Sequence, residues 1–382
     1  MNKSNWLKVA ATTNESPRDG QMNARRRGVR DAVSLEHRWS VVLAGGDGAR
    51  LRGLTRFVCG DDRPKQFCPL LGKRTLLQET RERAERSISP DQILYSLTRA
   101  HQDYYLCDLD DRPAQRVVQP CNKGTAPAIL YTLLHIAQLD RDACVVLLPC
   151  DHHYTRENAF TEALESAFAI AEARPGSIVL LGAQPNTPEV EYGWIELGEV
   201  AGPGLGVFYV TKFHEKPPLP LAEHLLKSGS LWNTFVMVGH ASAFFDLAVA
   251  TVPHLLRALR LAPLFSASDS ERRIIKGIYE QMESADFSSQ VLSHCADRLL
   301  TLPLGDVEWN DLGDPDRVIA ALLQSGVELP AWATRWQAAR EAERAIAQRM
   351  SLTVMPVTAS KNATCAPTAR IIQKSNYERA HN

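Results

Sequence analysis

Apolar runs that alternate with amphipathic stretches of helix length predict an α/β chain. Its central sheet should be mixed, mostly parallel and covered by helices on both faces. Three observations carry that prediction. The runs VVLA (41–44), QILYS (92–96), RVVQ (116–119), CVVLLP (144–149) and SIVLLGA (177–183) are continuous Val/Ile/Leu strands. Helical stripes lie between them. The first run also ends directly in Gly45, Gly46 and Gly48.

Residues 1–37 are polar, with Asn, Ser, Thr and the run Arg25-Arg26-Arg27, and are expected to be a flexible tail. The alternation starts at Trp39. Thr125 can cap the helix that follows RVVQ, and Pro127 is tolerated in a first helical turn. Ala126, Ile129, Leu130, Leu133, Leu134 and Ala137 then form one apolar stripe. Residues 158–173 form a second amphipathic helix. From about residue 190, YGWIELG and VFYVTKFHEKP suggest longer, partly antiparallel strands, and LWNTFVMVG another. A helix near 241–252 should end or kink at Pro253. This second half is expected to form the lid or substrate side. The last sheet-linked element should end near Gln324, and residues 333–350 are rich in the helix formers Ala, Arg and Glu. The expected domains are therefore a tail over 1–37, a core over 38–325, and a helical, weakly ordered stretch over 326–382.

Composition excludes several classes. The 382 residues suffice for one large α/β domain or two smaller ones. Hydrophobic residues make up 45% and charged ones 23%, ordinary values for a soluble chain. The net charge of −1 provides no global field for nucleic acid, although local phosphate sites are still allowed. The eight cysteines include no CxxC pair, which argues against structural zinc, and free thiols suit a reducing compartment. No apolar run approaches a membrane span of about 20 residues, and no signal-peptide core is seen at the N-terminus. A cytoplasmic protein without nucleic-acid or membrane partners is expected. The 333–350 helix is apolar enough to dock on the core or on a second subunit, so a homodimer is one of two expectations.

Residues 41–67 read VVLAGGDGARLRGLTRFVCGDDRPKQF and carry the chemistry. A strand enters a glycine turn, Arg50 sits in that turn, and Lys65 follows. Glycine permits conformations and close approaches that a Cβ would block. Consecutive backbone N–H groups then make a concave anion site, suited to a triphosphate. Two familiar phosphate motifs do not apply. Leu51 takes the place of the third Gly of GxGxxG, and Arg74 follows Gly72-Lys73 where a P-loop has Ser or Thr. Ligands of such sheets sit beyond the strand C-terminal ends. VVLA→GGDG and VVLLP→CDHH are both strand ends, so their polar residues could face one cleft.

LAGGDGARLRGLT followed by RPKQF resembles the opening signature of the nucleotidyltransferases that make nucleotide sugars. GTAPAI (124–129), LLPCDH (147–152), EYGWIE (191–196), FHEKP (213–217), LWN (231–233) and WNDLGDPDRV (309–318) follow in that family's order. The resemblance spans roughly 39–325 and is nearest the mannose-1-phosphate guanylyltransferase branch. It implies a Rossmann-like three-layer nucleotidyltransferase fold. It also implies direct in-line attack of mannose 1-phosphate on the α-phosphorus of GTP, giving GDP-mannose and pyrophosphate with Mg²⁺. The attacking phosphate is already a nucleophile, so the site need supply only alignment and charge neutralisation; alignment alone supplies about 7–11 kcal/mol.

Residue roles follow from the resemblance. Arg50 and Lys65 would neutralise the reacting phosphates. Leu43, Ala44, Gly45, Gly46, Gly48 and Thr125 would hold the nucleotide. Asp151 and Asp311 would hold Mg²⁺, as hard oxygen ligands do. Gly193, Glu215, Lys216 and Asn233 would hold the sugar phosphate. Taken singly, each cation could be a surface charge and each Asp a turn residue. His152 and His153, adjacent in sequence, point apart and suit packing rather than zinc. Two departures bear on selectivity. Lys123-Gly124 stands where the branch more often has Arg-Asn, and Thr234-Phe235 replaces a small Ser-Gly. UTP, dTTP or CTP with glucose or heptose phosphate, and a catalytically dead nucleotide-sugar sensor, are therefore alternatives. The roughly 55 residues after the core are too few for the isomerase barrel of bifunctional relatives, and no hexapeptide repeat signals a β-helix.

Overall fold

A computed structural model describes residues 35–353 except 203, 205, 266–267 and 325–327, with side chains described up to residue 346. Most of the tail expected over 1–37 and the residues after 353 lie outside that set. By its contacts the chain divides into one unit ending at Ala333 and a second starting at Thr334.

The five apolar runs are strands β1 (Arg38–Leu43), β2 (Ile93–Thr98), β3 (Arg116–Gln119), β4 (Cys144–Pro149) and β6 (Ile178–Ala183). A two-residue strand, β5 (His153–Tyr154), lies between β4 and β6. The second half adds β7 (Gly193–Val200), β8 (Phe208–Glu215), β9 (Leu231–His240), β10 (Leu299–Pro303) and the short β11 (Trp309–Asn310). Nine strands form one sheet in the order β3-β2-β1-β4-β9-β6-β10-β8-β7, while β11 and β5 pair separately. The pairings of β1 with β2 and β4, of β2 with β3, and of β6 with β10 are parallel. Within this sheet only β8 and β9 run against the other strands. The mixed, mostly parallel α/β sheet expected from the sequence is thus present.

The second half is not a separate lid. β9 lies in the middle of the sheet, antiparallel to both β4 and β6. Its residues LWNTFVMVGH are apolar on both faces, and that pattern is stable only where both faces are covered.

Alternate strand residues enter two cores. Val41, Val145 and Leu147 face one of them, packed by α4 (Thr125–Leu139), α7 (Ala241–Thr251), α8 (Pro253–Arg260) and α9 (Asp269–Gln281). Val42, Val146 and Leu148 face the other, packed by α2 (Leu76–Ala84), α3 (Gln102–Leu109), α5 (Glu157–Ala173) and α6 (Leu219–Lys227). Two further helices in this unit matter below, α1 (Arg52–Cys59) and α11 (Pro315–Gln324). A short helix, α10 (Phe287–Gln290), separates α9 from β10. Pro253 both ends the α7 direction and starts α8, since its fixed φ and missing N–H suit a first helical position. The Ala/Arg/Glu-rich stretch lies in α12 (Ala331–Thr353), whose residues from Thr334 on are the described part of the second unit. No described helix is long and apolar enough to cross a membrane.

Candidate functional site

Register explains why the polar motifs meet. Leu43 at the end of β1 is level with Pro149 at the end of β4, so the glycine turn and Cys150-Asp151 leave the sheet side by side. β9 runs the other way, with Met237 opposite Leu147, so its earlier residues Asn233 and Phe235 extend past the same end of β4. Trp194 pairs with Trp232, and Gly193 with Glu215, which brings β7 and β8 to the edge of Asn233. The β5–β11 ribbon pairs Tyr154 with Trp309 and His153 with Asn310, and this carries Asp311 back to Asp151.

The result is a cavity of about 310 Å³. Leu43, Gly45, Gly46, Thr125, Asp151, Gly193, Glu215, Asn233 and Asp311 all line it. These are residues from three expected roles, nucleotide, metal and sugar. Arg50 stands beside the cavity with an exposed side chain, 3.7 Å from Glu191 and 4.0 Å from Asp311. Gly48 adopts the left-handed conformation at the head of the turn that carries Arg50. Ala44 is fully buried beneath the turn, donating its N–H to the Ser96 carbonyl. Lys216 is exposed, and its backbone N–H donates to the Tyr192 carbonyl.

Lys65 is buried and ties the site together. Its Nζ lies 3.2 Å from Asp151 Oδ2 and donates to the backbone carbonyls of Asp311 at 2.6 Å and Leu312 at 3.0 Å. An ammonium has three donors, and these three acceptors use them. Neighbouring Gln66 donates to the carbonyls of Ala44 and Gly46. The PKQF cluster therefore braces the glycine turn on one side and both acidic loops on the other.

Asp311 Oδ1 accepts hydrogen bonds from the Tyr192 hydroxyl at 2.8 Å, Arg317 Nη1 at 2.9 Å and the Gly313 N–H at 3.0 Å. Burial alone would raise its carboxyl. Lys65, His152 and Arg317, with the Tyr192 hydroxyl, outweigh burial and hold it below the usual carboxylate range. Asp311 Oδ2 and Asp151 Oδ1 have no hydrogen-bond donor among the described residues. Each carboxylate thus keeps one oxygen for a cation, and this donor set fits Mg²⁺. Among the described residues no three His, Cys, Asp or Glu side chains converge on one metal position. A cation here would take its remaining ligands from phosphate oxygens and water, as Mg²⁺ prefers. His152 is packed against Trp309 and accepts its indole N–H at 3.1 Å, and burial depresses its pKa.

The Glu215 end of the cavity is acidic. Burial, then the charge of Asp286, push Glu215 up to about 7, opposed by Lys216 and a hydrogen bond from Ser288. Gly193 packs so closely that a Cβ there would lie 3.0 Å from Glu215 Oε2 and 3.3 Å from Asn233 Cβ. Asn233 Oδ1 accepts the Phe235 N–H at 3.1 Å.

Thr125 departs from expectation. It is the first helical residue of α4, Gly124 precedes it as cap, and no side-chain cap bond forms. Its hydroxyl instead donates to Asp286 Oδ2 at 2.9 Å and accepts the Phe287 N–H at 2.7 Å. Gly124 has φ +92, and a Cβ there would lie 2.3 Å from the Ala285 carbonyl oxygen. Only glycine fits a positive φ with backbone that close, so the Lys123-Gly124 departure is built into this clasp.

Several lining residues were not singled out from sequence. Tyr192, Gln66 and Trp309 lie inside the motifs quoted above, as neighbours of the residues chosen there. Asp286 and Ser288 lie in no recognised motif, and only the fold brings them to Glu215.

A model of the nucleotidyl transferase family matches residues 39–325. Mannose-1-phosphate guanylyltransferase of Escherichia coli strain K12 is 32% identical over 287 residues, 72% of this chain and 58% of that protein. Xanthan biosynthesis protein XanB of Xanthomonas campestris pv. campestris strain B100 is 31% identical over 290 residues, 75% of this chain and 60% of that protein. The chain spans no more than 60% of the length of these two relatives. The solved structure of mannose-1-phosphate geranyltransferase from Thermus thermophilus has a TM-score of 0.64 and 28% identity, covering 77% of this chain and 80% of that one.

Proposed function

The chain belongs to the nucleotidyl transferase family, and we propose that it transfers a guanylyl group from GTP to mannose 1-phosphate, forming GDP-mannose and releasing pyrophosphate. The observation that carries the proposal is Lys65. One buried ammonium touches the Asp151 carboxylate and the Asp311 backbone, and both of these residues line one cavity with the glycine turn and Glu215. That arrangement supports a reaction needing aligned phosphates and fixed charge rather than a base or covalent nucleophile.

The glycine turn would hold the triphosphate with backbone N–H groups, and Arg50 would close on the leaving phosphates from the rim. Asp151 and Asp311 would hold Mg²⁺, which when bound neutralises phosphate charge. Lys65 would keep both acidic loops in place. Glu215 and Asn233 would accept and donate hydrogen bonds to sugar hydroxyls. Lys216 would meet the sugar phosphate.

A second reading, with another nucleotide or sugar phosphate, is favoured by Phe235. It lines the cavity at φ +59, where the guanylyltransferase branch often has glycine. The test of both is a panel of four nucleoside triphosphates against several sugar phosphates with Mg²⁺, read by pyrophosphate release. GTP with mannose 1-phosphate should be the best pair. Asp151→Asn should lower that turnover by about a hundredfold or more, the cost of removing one oriented electrostatic group. Turnover only with another pair would select the second reading. Tight nucleotide-sugar binding without pyrophosphate release would make the protein a sensor.

A further inference from the structure

The segment that carries Lys65 has a thiol at each end. Cys59 closes α1, and Cys68 follows the turn Lys65–Phe67. Their sulfurs lie 2.8 Å apart. A disulfide needs about 2.05 Å, so bonding asks for less than an ångström of movement. Among the described residues no other two cysteine sulfurs are in contact.

The two thiols are not equivalent. Cys59 is partly exposed, whereas Cys68 is completely buried behind it. Burial and the hydrogen bond with Cys59 push the Cys68 thiol up, so it stays protonated. Arg63, anchored on Asp61, lies within electrostatic reach of both sulfurs. An exposed attacking thiol with a resolving partner behind it is the arrangement of a redox-responsive dithiol.

We propose that Cys59 and Cys68 form a redox modification site, oxidised to an intramolecular disulfide by a small disulfide of the glutathione class. The Cys59 thiolate attacks one sulfur of oxidised glutathione. The glutathione S–S bond breaks, and one glutathione leaves as a thiolate that takes up a proton. Sγ of Cys68 then attacks Sγ of Cys59 in the mixed disulfide and hands its proton to the departing glutathione sulfur. The second glutathione leaves and is protonated. Two protein thiols become one disulfide while one glutathione disulfide becomes two thiols.

The bond closes the segment that holds Arg63, Lys65 and Gln66. Of these, Lys65 braces the Asp151 and Asp311 loops and Gln66 braces the glycine turn. Closure staples α1 to that brace and removes conformational freedom from the unfolded chain, so the oxidised protein resists heat better. This site does not depend on which nucleotide or sugar the protein uses.

The full chain would be equilibrated in glutathione buffers of increasing oxidised fraction, alkylated, and read by intact mass, peptide mapping and thermal melting. The expected product carries two alkyl groups fewer than the reduced protein, yields a Cys59–Cys68 linked peptide, melts higher before alkylation, and returns to its starting state with dithiothreitol. Cys68→Ser should stop at a glutathione adduct on Cys59. Cys59→Ser should leave Cys68 unmodified. The proposal is overturned if exposed Cys107 is glutathionylated before any Cys59–Cys68 bond appears, if the cross-link joins other cysteines, or if melting does not rise.

Discussion

Single residues set the chemistry of this site by their neighbours. Three of the four described non-glycine residues with positive φ, Lys216, Phe235 and Leu312, lie next to it or line it. Such conformations cost about 1–3 kcal/mol each and persist where the surroundings over-determine them. Glu215 is the residue whose charge is most open to adjustment. Its pKa is raised to about 7, so it is a carboxylate above that pH and becomes neutral as pH falls through it. If Glu215 holds the sugar as proposed, its acceptor carboxylate is lost on the acid side, and KM for the sugar phosphate should rise as pH drops below about 7. The charged groups acting on Glu215 are Asp286, which raises its pKa, and Lys216, which lowers it. Asp286→Asn removes the first while keeping an oxygen for Thr125. The acid limb of the KM profile should then move to lower pH, with kcat changed less. The sugar phosphate's own titration is common to both proteins, so only their difference is read. Coincident profiles would remove Asp286 from this role.

At the scale of elements, the smallest pairing has the largest consequence. The β5–β11 ribbon has two residues on each side, yet it is what carries Asp311 to Asp151. So short a ribbon is not stable by its hydrogen bonds alone. Trp309 anchors it, with ring centroids 5.2 Å from His152 and 4.8 Å from Tyr192, and its indole N–H on His152. Arg317 at the start of α11 adds an ion pair to Glu189 and one to Asp311, its guanidinium over the Tyr192 ring. Trp309→Ala should cost about 3–5 kcal/mol of stability, as large aromatic truncations do, and should depress turnover with it. Trp309→Phe should keep most of the packing and most of the turnover. Melting curves and steady-state kinetics on both variants check this; an active Trp309→Ala would show that the ribbon does not position Asp311.

For the whole molecule, the sheet keeps stability and chemistry on separate residues. Side chains in the middle of the strands fill the two cores, and groups at the strand ends line the cavity. Leu147, fully buried at the centre of β4, should illustrate this. Leu147→Ala should destabilise by about 2–5 kcal/mol in denaturant titration, through lost transfer energy and a residual cavity. KM for both substrates should stay near the wild-type value at a temperature where the variant is folded. A large KM change would mean that strand packing reaches the site directly.

The alternation of apolar runs and amphipathic helices was enough to place β1, β2, β3, β4 and β6, because burial on both faces demands continuous apolar strands. The motif residues Asp151, Glu215 and Asn233 were legible through the resemblance carried by LLPCDH, FHEKP and LWN, and the register of the sheet brings all three to one cavity. Sequence by itself could not assign β9 to the middle of the sheet, since an apolar strand looks the same at the centre as at any covered position. Nor could it reveal that Thr125 turns its hydroxyl to Asp286, that Lys65 is held by two distant carbonyls, or that Cys59 meets Cys68. Local propensity acts between residues a few positions apart and is written in the chain's order. Those contacts join segments many positions apart, and only the register of the folded sheet and the loops it carries decides which of them touch.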